Sequence, residues 1–250
     1  MLFKKLKKGV TSNPKSFTNT LLDSVKNTLS LDRTLSFKEK EMDLFKIQSP
    51  VKGVWSFMNP PGHHPDAKDF VAVNKKGAPY KRTKMISHLF FRLSVTKTYA
   101  WEREVYSPFD GTVVKTENTT KDRTGLNIFR DLFNGVIKAP RSGRNDIKYF
   151  LGNYIILKSR DGVFALLAHL RKGSITISEG MQVSAGELIA KVGNSGNTIQ
   201  PHLHFQLMKE NDISHALPIP FIFESCQVCI NGYWVALEST LPRNYQKFRV

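Results

Sequence analysis

Gly193-Asn194-Ser195-Gly196-Asn197-Thr198-Ile199-Gln200-Pro201-His202-Leu203-His204-Phe205-Gln206-Leu207 is the stretch on which the reading of this chain turns. It opens as a polar loop punctuated by glycine. After Pro201 apolar and polar residues alternate strictly, which predicts a strand. Side chains at i and i+2 of a strand share a face. His202 and His204 therefore stand together on one face, with Leu203, Phe205 and Leu207 on the other. Two imidazoles side by side make half of a metal site, or a ligand and a base. A bare His-x-His is equally what two ordinary histidines on a half-exposed strand look like, so the rest of the chain has to decide.

Upstream of this stretch the pattern stays β. Asn153–Lys158 and Val163–Leu170 read as two strands, and Asp161-Gly162 between them is a hairpin signal. His169 ends the second strand. Ile175–Ile177, Gly180–Val183 and Gly186–Val192 continue at short, regular spacing, the mark of a sandwich or folded-over sheet. Thr112–Lys115 follows an Asp110-Gly111 turn. Further back, Phe70–Val73 is a strand with Asp69 at its mouth. Asp69 comes just after the loop His63-His64-Pro65-Asp66.

Composition sets the bounds. The chain has 250 residues, 40% of them hydrophobic, enough to bury one sizeable core. No run approaches the ~20 apolar residues of a membrane span. There are 37 basic and 21 acidic residues, a formal charge of +16, which favours an anionic partner such as nucleic acid, an acidic membrane surface or an anionic cell wall. Nucleic acid has charge alone in its favour, because no recognition motif accompanies it. Cys226 and Cys229 are too few for a disulfide framework and lack the second pair of a zinc ribbon. Among Phe221, Ile222, Phe223, Val228 and Ile230 they are expected as buried, inert strand cysteines.

The domain organisation expected is a basic appendage over 1–50, a β domain over 51–223 and a β extension over 224–250. Two insertions, near 74–103 and 117–148, interrupt the domain, the second with a short helix near 126–133. In the appendage, Ser16 caps a helix whose stripe is Phe17, Leu21, Val25 and Leu29. The basic start at Lys4, Lys5, Lys7 and Lys8 is followed by no apolar h-region, so no conventional secretory signal is read there.

The candidate site residues are thus His63 or His64, Asp69, His169, His202 and His204. Three nitrogen or oxygen ligands with one open position is the pattern of a catalytic zinc centre, although such ligands alone do not select among divalent metals. At this point Ala168-His169-Leu170, Gly180–Gly186, Gly193-Asn194-Ser195-Gly196 and Pro201-His202-Leu203-His204-Phe205 resemble the lysostaphin-type (LytM-like) zinc metallopeptidases. Tyr106–Val113 and Gly152–Ile156 fit the same pattern. The resemblance runs from about Gly62 to Phe223 and is most specific between Gly152 and Leu207.

The resemblance implies the duplicated hybrid motif fold, a mainly β, antiparallel, folded-over sheet. It implies one zinc ion and hydrolysis of peptide bonds in the stems or cross-bridges of bacterial peptidoglycan. Anionic cell-wall polymers are further partners that the charge would suit. The implied setting is the cell envelope or outside the cell. By position, Asp69 and His204 would be ligands, with His169 and His202 handling water and the developing oxyanion. The family's first motif commonly has three residues between histidine and aspartate; here His64 leaves four and His63 five. His64 is taken as the first ligand for its closer spacing, with His63 as the alternative. The other reading is a non-catalytic module of the same fold that binds the wall or activates another hydrolase.

Overall fold

A computed structural model of the chain describes residues 44–60, 63–81, 93–126, 147–213 and 215–250. The helical appendage lies outside these residues, as do the helix near 126–133 and much of both insertions. In chain order the first strands are β1 (Phe45–Ile47), β2 (Val54–Met58), β3 (Lys68–Ala72), β4 (Leu93–Ser94), β5 (Glu104–Tyr106), β6 (Gly111–Glu117) and β7 (Gly125–Leu126). A short helix, α1 (Ile147–Leu151), leads into β8 (Asn153–Ser159) and β9 (Phe164–Leu170). Then come β10 (Gln182–Val183), β11 (Leu188–Lys191), β12 (Leu203–Met208), β13 (Pro218–Ile219), β14 (Phe221–Ile230), β15 (Tyr233–Thr240) and β16 (Lys247–Arg249).

One sheet runs β1-β14-β16-β2-β3-β12-β9-β8-β6-β10, with β13 joined to β12 and β15 to β14. Between its strands β1 and β14 run parallel, and the other pairs described are antiparallel. The protein is mainly β, as the alternating patterns predict. At the centre, Leu203, Phe205 and Leu207 of β12 join Ile155, Leu157, Ala165 and Leu167 in the main core. The opposite face is covered too: Tyr154, Ile156, Leu166, Ala168 and Met208 form a second cluster, under Ile147 and Leu151 of α1. Burial on both faces explains why β8 and β9 read as nearly unbroken apolar runs.

Register then places the polar side chains. His204 of β12 lies opposite Asp69 of β3 on one edge and Ala168 of β9 on the other. Directly opposed residues of an antiparallel pair project to the same face, close enough to interact. The β8–β9 register slips by one at the end of β9: Tyr154 opposes Ala168, but Asn153 opposes Leu170. His169 is the extra residue of that bulge and sits at φ 60°. A bulge re-aims a side chain, and left-handed backbone is uncommon for a histidine. Without the slip, His169 would follow Leu167 into the main core.

The ends of the β domain differ from the boundaries drawn from sequence. Phe45–Ile47, assigned to the appendage, pairs with Phe221–Phe223 of β14. The terminal strands are part of the same sheet, since β16 bridges β14 and β2. Aromatic packing holds them there. Phe57 meets Phe70 and Phe248, each at 4.8 Å between ring centroids, and Phe205 meets Phe221 at 5.0 Å. Such contacts add about 0.5–1.5 kcal/mol each beyond area burial. The alternation at 221–250 could mark the strands but not the aromatic rings they would meet.

Candidate metal centre

Three elements bring the polar groups together: β12 with His202 just ahead of it, the mouth of β3, and the loop before β3. Asp69 is buried, and its Oδ1 lies 3.0 Å from His204 Nδ1, 3.3 Å from His63 Nε2 and 3.5 Å from His202 Nε2. His63 Nε2 and His204 Nδ1 are 3.2 Å apart. His63, Asp69 and His204 are the group of potential ligands that converge among the described residues.

The outer nitrogens of the rings determine what the inner ones can do. A carbonyl oxygen can only accept, so a ring nitrogen facing one must carry the proton. His63 Nδ1 donates to the His64 carbonyl at 3.3 Å, and His204 Nε2 donates to Gln206 Oε1 at 3.1 Å. In the neutral rings the inner nitrogens, His63 Nε2 and His204 Nδ1, are then lone pairs pointing at each other and at a carboxylate oxygen. Three acceptors this close repel unless a proton or a metal cation sits among them. Ligands about 2.0 Å from a tetrahedral zinc stand roughly 3.3 Å apart. The observed separations of 3.0–3.3 Å fit that figure. An outer N–H held by a fixed acceptor is also the usual support of a ligating histidine.

Of the two loop histidines, His63 and not His64 faces Asp69 and His204. His64 does not join the cluster; its Nδ1 accepts the Asp66 N–H at 3.2 Å, and its side chain is 37% exposed. The Ala67 N–H binds the His64 carbonyl at 3.1 Å, closing a turn over Pro65 and Asp66. That turn faces the His64 ring outward and leaves its carbonyl to orient His63. Counting residues to Asp69 missed the path of the loop.

His169 and His202 flank the cluster, with ring centroids 4.7 Å apart. His169 Nδ1 donates to the Ser195 carbonyl at 3.0 Å. His202 Nδ1 donates to the Gln200 carbonyl at 2.8 Å, with Thr198 Oγ1 at 3.0 Å. In its neutral form each ring therefore presents a bare Nε2. The loop 193–196 is built to hold His169. Ser195 Oγ donates to the Leu170 carbonyl at 2.8 Å and accepts the Asn153 N–H at 2.9 Å. Gly196, at φ +76°, lies so close to Gly152 that a Cβ there would come within 2.4 Å of the Gly152 nitrogen.

The electrostatics separate these groups. Burial opposes ionisation of Asp69, but His202, His204 and His63 outweigh it and hold its carboxyl well below the ordinary range. Burial likewise works against a charge on His202, and Asp69 overcomes it, so this ring is raised. His63 is raised for the same balance of reasons. His169 is held well below its ordinary value, by burial first and then by His202 and His204. The supporting residues Gln206, Gln200, Thr198 and Ser195 are not among the residues singled out from sequence. Gln206 was the most accessible of them, since it continues the period of two from His202 and His204.

The sequence profile of peptidase family M23 matches residues 94–215, and the chain carries a peptidase M23 domain of the LytM/lysostaphin family. The match begins after β3, so His63 and Asp69 precede it and reach the site through the pairing of β3 with β12. The chain is 37% identical over 73 residues to the DD-carboxypeptidase/endopeptidase Mpg of Neisseria meningitidis, covering 28% of this chain and 16% of that protein. It is 34% identical over 59 residues to the peptidoglycan DD-endopeptidase ShyA of Vibrio cholerae, covering 24% of this chain and 13% of that protein. The matched segments thus span less than a fifth of either relative. Among solved structures it is similar to the catalytic domain of lysostaphin from Staphylococcus simulans, with 18% identity and a TM-score of 0.37 over 67% of this chain and 88% of that one.

Proposed function

We propose that this chain is a zinc-dependent metalloendopeptidase that hydrolyses peptide bonds in the stems or cross-bridges of bacterial peptidoglycan. The observation that carries the reading is the convergence of three potential ligand atoms, His63 Nε2, Asp69 Oδ1 and His204 Nδ1, at the spacing of a tetrahedral ion. Those three residues would hold the metal. Bound there, zinc would polarise the scissile carbonyl and make its water acidic near neutrality. The substrate class rests on the M23 domain and on the peptidoglycan endopeptidase relatives.

The two flanking histidines supply proton handling. Each presents a bare Nε2 because its Nδ1–H is engaged by a backbone carbonyl. A bare Nε2 can take a proton from water and, once protonated, donate it to the leaving amine or to a developing oxyanion. The reading as a non-catalytic module would leave the first ligand position empty, and the approach of His63 Nε2 to Asp69 and His204 supports the enzyme reading instead. The test is elemental analysis of purified protein, followed by digestion of cell-wall sacculi. One zinc per chain with release of peptide fragments is the expected outcome. A zinc-replete protein that releases none would refute the enzyme reading, and a chain that takes up no divalent metal would refute the site.

A further inference from the structure

Gln200 is buried among four partners, and only one of them belongs to the histidines. Its backbone carbonyl accepts His202 Nδ1–H at 2.8 Å and Thr198 Oγ1–H at 2.6 Å. Its side-chain Nε2 faces Met58 Sδ at 3.3 Å. Its side-chain Oε1 accepts the hydroxyl of Tyr80 at 2.5 Å. Tyr80 comes from outside the site strands, in the segment after β3, where it bridges Thr98 and where the Tyr99 N–H holds the Pro79 carbonyl at 3.0 Å.

We infer that Tyr80 is a positioning residue for His202, acting through Gln200. The inference rests on the proposed peptidase reading for its catalytic consequence but not for its geometry. A neutral His202 has two tautomers to choose between. With the proton on Nδ1 it binds the Gln200 carbonyl and leaves Nε2 bare toward the reacting water. With the proton on Nε2 it donates to Asp69 Oδ1, 3.5 Å away, and Nδ1 accepts from Thr198 instead. The second arrangement has a carboxylate as acceptor and blocks both the base and a metal ligand. The Gln200 carbonyl is what opposes it, so the position of Gln200 decides which nitrogen is bare. Gln200 lies in a loop ahead of Pro201 rather than in a strand ladder. The Tyr80 hydroxyl is the strongest donor described on its side chain, because a thioether is a weak acceptor. The segment 74–103 thereby sets the chemistry of a histidine 122 positions later in the sequence.

The test compares the full wild-type chain with Tyr80→Phe and with the double variant Tyr80→Phe/Gln200→Met. The double variant replaces both partners by apolar groups of similar shape, which spares the fold an unpaired buried carbonyl. The tautomer of His202 is read from long-range proton–nitrogen correlations of its ring, assigned by the loss of signals in His202→Gln. Wild type should show Nδ1–H, and both variants should move toward Nε2–H. With zinc bound, kcat on peptidoglycan peptides should fall about tenfold with KM little changed, since the loss falls on proton transfer rather than on binding. A wild-type tautomer in the double variant would overturn the inference, whatever the melting temperature does. If the wild-type protein hydrolyses nothing, the peptidase reading fails, and the tautomer comparison still decides this one.

Discussion

Gln206 offers the sharpest test of the proposed metal centre, because it contacts His204 through the ring nitrogen that faces away from Asp69. Its Oε1 accepts His204 Nε2–H at 3.1 Å, and the residue is 9% exposed on the face shared with His204. Gln206→Met keeps the volume and removes the acceptor. His204 Nε2–H is then unpaired, while the other tautomer gains a charge-assisted bond from Nδ1–H to Asp69 Oδ1, 3.0 Å away. Such a bond is worth about 1.5–3 kcal/mol net. An ion entering the site would have to break it, which converts to roughly a 10- to 100-fold loss of affinity at about 1.4 kcal/mol per decade. The same range is typical when the outer partner of a ligating histidine is removed. The assay is competition for zinc against a chromophoric chelator, beside thermal melting of the metal-free protein. Metal-free melting should hold or rise, because the new bond forms only without metal, while affinity falls. Affinity within about twofold of wild type would refute the argument that the outer contacts keep the inner lone pairs bare.

Other expectations follow from the same geometry. His63→Ala should lose zinc and His64→Ala should retain most of it, as read by elemental analysis after dialysis; equal retention would separate His63 from the ligand set. His169→Ala and His202→Ala should keep zinc and fold yet lose about 100-fold or more in hydrolysis, with the double variant little worse than the poorer single one. Near wild-type digestion by either single variant would remove that residue from the chemistry. Gly196→Ala should cost about 2–4 kcal/mol in denaturant unfolding, because the new Cβ meets backbone at 2.4 Å and φ is +76°; a loss below about 0.5 kcal/mol would mean that the Gly152 contact yields freely. Burial pushes the Cys226 thiol up to about 11, so at about pH 8 only about one molecule in a thousand carries the thiolate. Native-state alkylation should therefore leave Cys226 unmodified, and rapid labelling would contradict its burial.

Much of this centre was legible in the sequence because strands obey a period of two. Alternation after Pro201 put His202 and His204 on one face, and the strand after Asp69 supplied a partner edge. Both cysteines were expected to be buried, but at i and i+3 they project to opposite faces, and Cys229 is only partly buried. Three things escaped. The choice between His63 and His64 depends on a turn closed by the His64 carbonyl, which residue counting does not see. His169 reaches the site through a bulge, a break in the very period that located the strands. The strands at 45–47 and 224–250 looked peripheral because their place in the sheet is set by distant pairing with β2 and β14. Aromatic rings from five strands meet there, and no local pattern announces such a meeting.

The distance along the chain between the proposed ligands carries a kinetic consequence. Asp69 and His204 are 135 residues apart in sequence, and His63 and His204 are 141 apart. Closing loops of that length is entropically costly, and folds dominated by such contacts assemble slowly. The β8–β9 hairpin can form from neighbours alone, but β3 can meet β12 only after most of the intervening chain has been made. Zinc capture in a refolding protein should therefore lag behind the appearance of β structure and report the docking of β3. A nascent chain released before residue 204 would hold His63 and Asp69, in and just before β3, without the β12 edge that completes the proposed site.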